Sequence, residues 1–204
     1  MRLTISKGAL SALAVAGALV VGGCGDDDTP SSSASGAGGN GVDRAFVADM
    51  ISHHESAIEM AKIAKQRGES AFVKQLADDI ASSQGKEIAT MRREDDALEL
   101  ADVKRGSLGV PDHMKGMDDN PAKLKTADPF DPAFIKMMIP HHEGAIEMAK
   151  VELSKGEDPE LKTLAQDIID AQQHEITAMR KHLADDGSTD DGAAKQEHGP
   201  EHSG

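Results

Sequence analysis

Segments 46–92 and 134–180 carry one pattern twice, at a constant offset of 88 positions and without a gap. Phe46, Met50 and His53-His54-Glu55 recur as Phe134, Met138 and His141-His142-Glu143. The run Ala57 to Lys62 returns unchanged as Ala145 to Lys150. Leu76, Asp79, Ile80, Gln84, Glu87, Ile88, Met91 and Arg92 return as Leu164, Asp167, Ile168, Gln172, Glu175, Ile176, Met179 and Arg180. Of 47 paired positions 24 are identical, so the two segments are an internal duplication. Any fold for this chain has to accommodate two copies of one unit.

Each unit predicts two helices. In the first copy they run over 43–67, closed by Gly68, and over 70–99. In the second, Asp131-Pro132 predicts an N-cap followed by a first-turn proline, and Gly156 ends that helix. Asp158-Pro159 opens the last helix, which runs to about 185. Two hairpins with short turns predict an all-α four-helix bundle over 43–185, with a polar crossover at 93–130 broken by Gly and Pro. The residue supply agrees. With four Phe and no Tyr or Trp, the core must be Leu, Ile, Val, Ala and Met, which suits helices more than strands. Pro140 lies inside the third helix and predicts a kink there, where the first copy has Ser52.

Successive helical residues turn by about 100°. On that wheel Phe46, Met50, His53, His54, Ala57, Ile58, Met60 and Ala61 share the inward half. Glu59 and Ser52 face away and Glu55 sits on the rim. The second copy repeats this with Met138, His141, His142, Ala145, Ile146 and Met148. Met50 precedes His53 and His54 by three and four residues, the spacings at which helical side chains meet. Gln84, Glu87 and Met91, and their copies Gln172, Glu175 and Met179, stand on neighbouring turns of the partner helices; His174 and His182 are extra in the last helix. A methionine stripe is most often core filler. Four buried imidazoles without partners, however, would be costly, which favours a metal or a closed polar network.

Imidazole with thioether and no thiolate suits copper, above all Cu(I). Zinc more usually recruits Cys or carboxylate. A ferritin-type di-iron site needs Glu-x-x-His, which neither repeat has. The candidate ligands are Met50, His53, His54, Met60, Met138, His141, His142 and Met148, with Glu55 and Glu143 as partners orienting the imidazoles. Met91, Met179 and His174 are further candidates. His113, Met114 and Met117 in the crossover read equally as a copper-collecting loop or as a polar connection with incidental methionines. His198 and His202 in the tail are weaker candidates.

The first 23 residues read as a signal peptide: Arg2 and Lys7, then an apolar run from Ala9 to Val21. That run is shorter than the ~20 residues that span a bilayer. It ends in Val21-Gly22-Gly23-Cys24, which resembles the lipobox of bacterial lipoproteins and marks Cys24 for lipidation. Residues 24–42 read as a polar tether and 186–204 as a disordered tail. The expected location is the outer face of a bacterial cell membrane, held by lipid. A net charge of -14 excludes a nucleic-acid or polybasic membrane-surface role.

Met-Ile-Ser-His-His-Glu-Ser-Ala-Ile-Glu-Met-Ala (50–61), Met-Ile-Pro-His-His-Glu-Gly-Ala-Ile-Glu-Met-Ala (138–149) and Ala-Gln-Gln-His-Glu-Ile-Thr-Ala-Met-Arg (171–180) resemble the signature of the bacterial domain-of-unknown-function-305 family. The resemblance implies a ferritin-like four-helix bundle and, since some members are exported copper-binding proteins, metal handling. It carries the ligand role onto Met50, His53, His54, Met60, Met138, His141, His142 and Met148. Where members often carry Trp after the last Met-Arg segment, this chain has His182. Three readings stay open: a non-enzymatic copper-binding lipoprotein, a ferritin-like oxidase, and a metal-free bundle whose outer face binds another protein.

Overall fold

The computed structural model describes residues 38–193, with side chains described to residue 186. Cys24, the signal segment, most of the tether, and His198 and His202 lie outside the described residues. Four helices form the fold: α1 (Gly41–Arg67), α2 (Ala71–Leu100), α3 (Phe130–Lys155) and α4 (Pro159–Ala193). The described residues contain no strand, and none of their helices is long and apolar enough to cross a membrane. The bundle is built from the hairpins α1/α2 and α3/α4, with α1 packed along α3.

The helix starts follow from local chemistry. The Asn40 side chain accepts from the amides of Val42 (2.7 Å) and Asp43 (3.4 Å), and Asp43 accepts from the Asn40 amide (2.5 Å), closing a capping box. Ser70 caps α2 through Val73 N–H. Asp158 caps α4, accepting from the amides of Glu160 and Leu161 at 2.9 Å each, as its position before Pro159 predicts. Asp131 does not cap α3. That helix begins two residues before the expected start at Pro132, at Phe130, with Pro129 at the N-cap. Asp131 instead accepts from the amides of Glu69 (2.8 Å) and Ser70 (2.7 Å) in the α1–α2 turn. The equivalent residue Asp43 does the same to the other turn, accepting from Glu157 (3.1 Å) and Asp158 (2.9 Å). Each hairpin thus starts by tying down the turn of the other, and the two repeats exchange places about a pseudo-two-fold axis.

The core obeys the same symmetry. One apolar cluster holds Phe46, Met50, Met91, Ala145, Met148 and Ile168; the other holds Phe134, Met138, Met179, Ala57, Met60 and Ile80. Each residue of the first set is the repeat counterpart of one in the second. All are buried, and a fully buried side chain of the Phe, Met or Ile type contributes roughly 1.5–3 kcal/mol. His53, His54, His141 and His142 fall between the two clusters along α1 and α3, at the middle of the bundle.

The crossover, 101–129, is a strap with two short 3-10 turns, Asp112–Met114 and Pro121–Lys125. Arg44 pins its start through the Val103 carbonyl (2.9 Å), and Arg67 pins its end through the carbonyls of Leu124 (2.6 Å) and Ala127 (2.9 Å). Between these anchors the strap crosses the waist of α3. α3 stays one continuous helix through Pro140, whose carbonyl lies under Gly116.

Candidate functional site

At the waist, α1 and α3 bring equivalent residues face to face. The His53 and His141 rings lie 3.7 Å apart between centroids, at 38° to each other. This is what a two-fold axis between the repeats requires of residues 88 apart. His54 and His142 flank the pair, 6.3 and 6.4 Å from their sequence neighbours. All four are buried.

The flanking rings are held by carboxylates from the second helix of each hairpin. His54 Nε2 meets Glu87 Oε2 at 2.6 Å, and His142 Nε2 meets Glu175 Oε2 at 2.6 Å. An ionised carboxylate only accepts, so both Nε2 atoms carry the proton. His53 Nε2 donates to the Lys115 carbonyl of the strap at 3.0 Å. Burial, reinforced by the neighbouring imidazole His54, pushes the His53 pKa down to about 3, so the ring is neutral. With the proton on Nε2, its Nδ1 presents a lone pair. Burial likewise drives His141 well below the usual histidine range, aided by His53 and His142.

Five imidazole nitrogens at this layer are buried without a partner: Nδ1 of His53, His54 and His142, and both nitrogens of His141. The side-chain amides of Gln84 and Gln172, one turn from Glu87 and Glu175, are also buried and unpartnered. Each such atom costs about 1–3 kcal/mol. A core that only needed filling would carry apolar side chains here. The donor set is soft to intermediate: uncharged imidazole nitrogen, with Met50, Met91 and Met148 in one adjoining cluster and Met60, Met138 and Met179 in the other. Among the described residues, no three His, Cys, Asp or Glu side chains are grouped to hold a metal on their own.

The structure separates several residues that the sequence reading grouped. Glu55 and Glu143 do not orient the imidazoles. They are exposed and ion-paired with Arg92 (3.0 Å) and Arg180 (2.6 Å), because the residue after an inward histidine is turned away by the helix. Glu87 and Glu175 take that task. His174 is exposed, in a surface groove with Phe72, Asp79 and Glu175, and is not among the four buried imidazoles. His182 stacks on Phe72, with centroids 4.4 Å apart, and fills a packing position. The strap residues divide as well. Met117 lines a cleft of about 300 Å³ with His53 and Met148, whereas His113 and Met114 line a different cleft on the far side of the strap.

The family model for a domain of unknown function, DUF305, matches residues 43–183. The chain belongs to the DUF305 family. Solved structures agree. A candidate secreted DUF305 protein from Streptomyces coelicolor is 30% identical, with a TM-score of 0.63 over 79% of this chain and 98% of that one. CopM, solved in a Cu(I)-bound form, is 33% identical with a TM-score of 0.59, over 70% of this chain and 96% of CopM. A Cu(II)-bound form of CopM matches at a TM-score of 0.60 and also at 33% identity, covering 70% of this chain and 96% of CopM. An uncharacterized protein of Acanthamoeba polyphaga mimivirus is 45% identical over 53 residues, which are 26% of this chain and 35% of that protein. The all-helical bundle of this DUF305 chain is therefore the family fold.

In the sequence Glu87 and Glu175 are neighbours of the inward face with no role of their own. The signal was present: both are preserved between the copies at a helical face shared with Gln84 and Met91. The Lys115 carbonyl had no such signal, since a backbone acceptor leaves no mark in residue type.

Proposed function

We propose that this DUF305 protein binds a soft metal ion, copper(I) foremost, at the buried imidazole layer, and that it stores or passes on the ion rather than turning over a substrate. The observation that carries this reading is the set of five unpartnered imidazole nitrogens between two methionine clusters. Neutral His53 with its proton on Nε2 offers a ready lone pair, and the cleft shared by His53, Met148 and Met117 leads to it from the surface. The metal-bound forms of CopM lend support by kinship. An exported location, with Cys24 as a lipid anchor and residues 25–37 as tether, belongs to the same proposal and rests on the N-terminal sequence.

An oxidase would want carboxylates around a metal pair. Glu55 and Glu143 are engaged at the surface, and Glu87 and Glu175 each serve a different imidazole, which weighs against that chemistry. The test is a Cu(I) titration of the full chain against a chromophoric competitor, beside the variant His53→Ala/His54→Ala/His141→Ala/His142→Ala. The expected result is tight binding by the parent and a strong loss in the variant, with helicity retained by circular dichroism. Absence of competitor-resistant binding in the parent, or equal binding by a folded variant, overturns the proposal.

A further inference from the structure

The strap has two flanks, and the duplication makes them comparable position by position. On the first repeat's flank Asp49 clamps the strap, pairing with Arg105 (2.6 Å) and Lys115 (3.2 Å). The equivalent position in the second repeat is Met137. Ser52 likewise gives way to Pro140, and Ser56 to Gly144. The copies thus diverge together at the face the strap covers.

One of these changes, Gly144, together with Gly116 of the strap, lets backbone meet backbone. A Cβ at Gly144 would stand 2.0 Å from the Lys115 carbonyl oxygen, and one at Gly116 2.2 Å from the Pro140 oxygen. Gly116 also has φ +68, a conformation that costs glycine nothing. The strap is therefore pressed onto α3. Its methionines are left in water: Met114 is 45% exposed and Met117 40%. Methionine in water at a tightly placed loop is poor core filler, and its distinguishing chemistry is the soft thioether.

Beside the strap a cleft of about 520 Å³ opens over α3. Its lining includes His113, Met114 and Met137, together with the acidic residues Asp118 and Glu147. We infer that this cleft is a second metal site, selective for a soft monovalent cation of the Cu(I) or Ag(I) type, with His113, Met114 and Met137 as its ligands. Two thioethers and an imidazole give little to a hard cation but suit a d10 monovalent one. The carboxylates do not need to touch the ion; they raise its local concentration. The site takes its ion class from the interior reading but uses none of its residues.

The experiment is an Ag(I) titration of the full chain labelled with 13C at the methionine methyls. The parent is compared with His113→Ala/Met114→Leu/Met137→Leu and with the interior four-histidine variant. The inference expects the Met114 and Met137 methyl signals to shift in the parent and in the interior variant. It expects the strap variant to take up one Ag(I) fewer per chain. Unmoved Met114 and Met137 methyls, or unchanged stoichiometry in the strap variant, overturn it. Loss of these shifts in the interior variant would show that the cleft is not a site of its own and would overturn it too. Failure of the interior site alone leaves the methyl shifts intact, so the two claims fail separately.

Discussion

Glu152 is a fully buried carboxyl with no acid at the equivalent position of the other repeat. Its equivalent in the first repeat is Ala64, so the second repeat has added an acid to a sealed position. It faces Asp43, which closes the α1 capping box and holds the α3–α4 turn. Burial, together with the hydrogen bond and charge of Asp43, pushes Glu152 up to about 9. Burial also opposes ionisation of Asp43, but the hydrogen bond from Glu152 and the amides of Asn40, Asp158 and Glu157 outweigh it and hold Asp43 below the usual carboxylate range. The pair therefore keeps one proton, on Glu152. An acid whose folded pKa is raised costs stability as pH climbs from its unfolded value near 4.5 toward its folded one. Each pH unit in that window is worth ~1.4 kcal/mol, so at pH 7 the deficit is about 3 kcal/mol. Glu152→Gln keeps the shape, donates to Asp43 and carries no proton to lose.

The expected outcome is a stability gain that depends on pH. Denaturant unfolding followed by circular dichroism should give nearly equal stabilities for variant and parent near pH 4.5. The gap should then widen by ~1.4 kcal/mol per unit to about pH 8. The comparison must be a difference between the two proteins, because His53 and His141 act in the opposite direction. Their lowered pKa values add stability as pH rises toward 6.5, equally in both chains. Asp43 matters only at lower pH, where its protonation on acidification removes stability. Parallel curves for Glu152→Gln and parent between about pH 5 and 8 would refute the reasoning.

Further outcomes follow from the same geometry. Gly144→Ser installs the residue that the first repeat carries at Ser56 and drives a Cβ into the Lys115 carbonyl; it should lift the strap, break the His53–Lys115 bond and speed proteolysis between 110 and 120. Glu87→Ala leaves His54 with neither ring nitrogen paired and should cost about 1.5–3 kcal/mol in denaturant unfolding, with Glu175→Ala matching it by symmetry. Phe134→Ala empties the centre of one apolar cluster and should cost about 3–5 kcal/mol, with Phe46→Ala doing the same to the other.

What the sequence revealed was governed by helical rotation. The inward arc of Met50, His53, His54 and Met60 is readable because each residue turns by a fixed angle, and all four are buried. The same rule, applied strictly, sends Glu55 outward, and proximity in sequence was the wrong guide to its role. The repeat made the bundle legible, yet its symmetry reaches further than the aligned segments. Asp43 and Asp131 are also 88 apart, and each grips the opposite hairpin's turn. That exchange could not be read locally, since Asp43 and its partner Asp158 are 115 residues apart in the chain. Asp131 before a proline had every local sign of an N-cap, and a tertiary hydrogen bond claimed it instead. The path of the strap was hidden for a different reason: it is fixed by close backbone approach at Gly116 and Gly144, where the informative feature is a missing side chain.

The central claim is that the buried imidazole nitrogens are ligands. Long-range proton–nitrogen NMR of the histidine rings, with and without one equivalent of Cu(I), tests it most directly. The account predicts that His53 Nδ1 and a nitrogen of His141 change from free lone-pair positions to metal-bound ones, while His54 and His142 keep Nε2 protonated against Glu87 and Glu175. Ring nitrogens of His53 and His141 that stay at their metal-free positions while copper is bound elsewhere on the chain would contradict it.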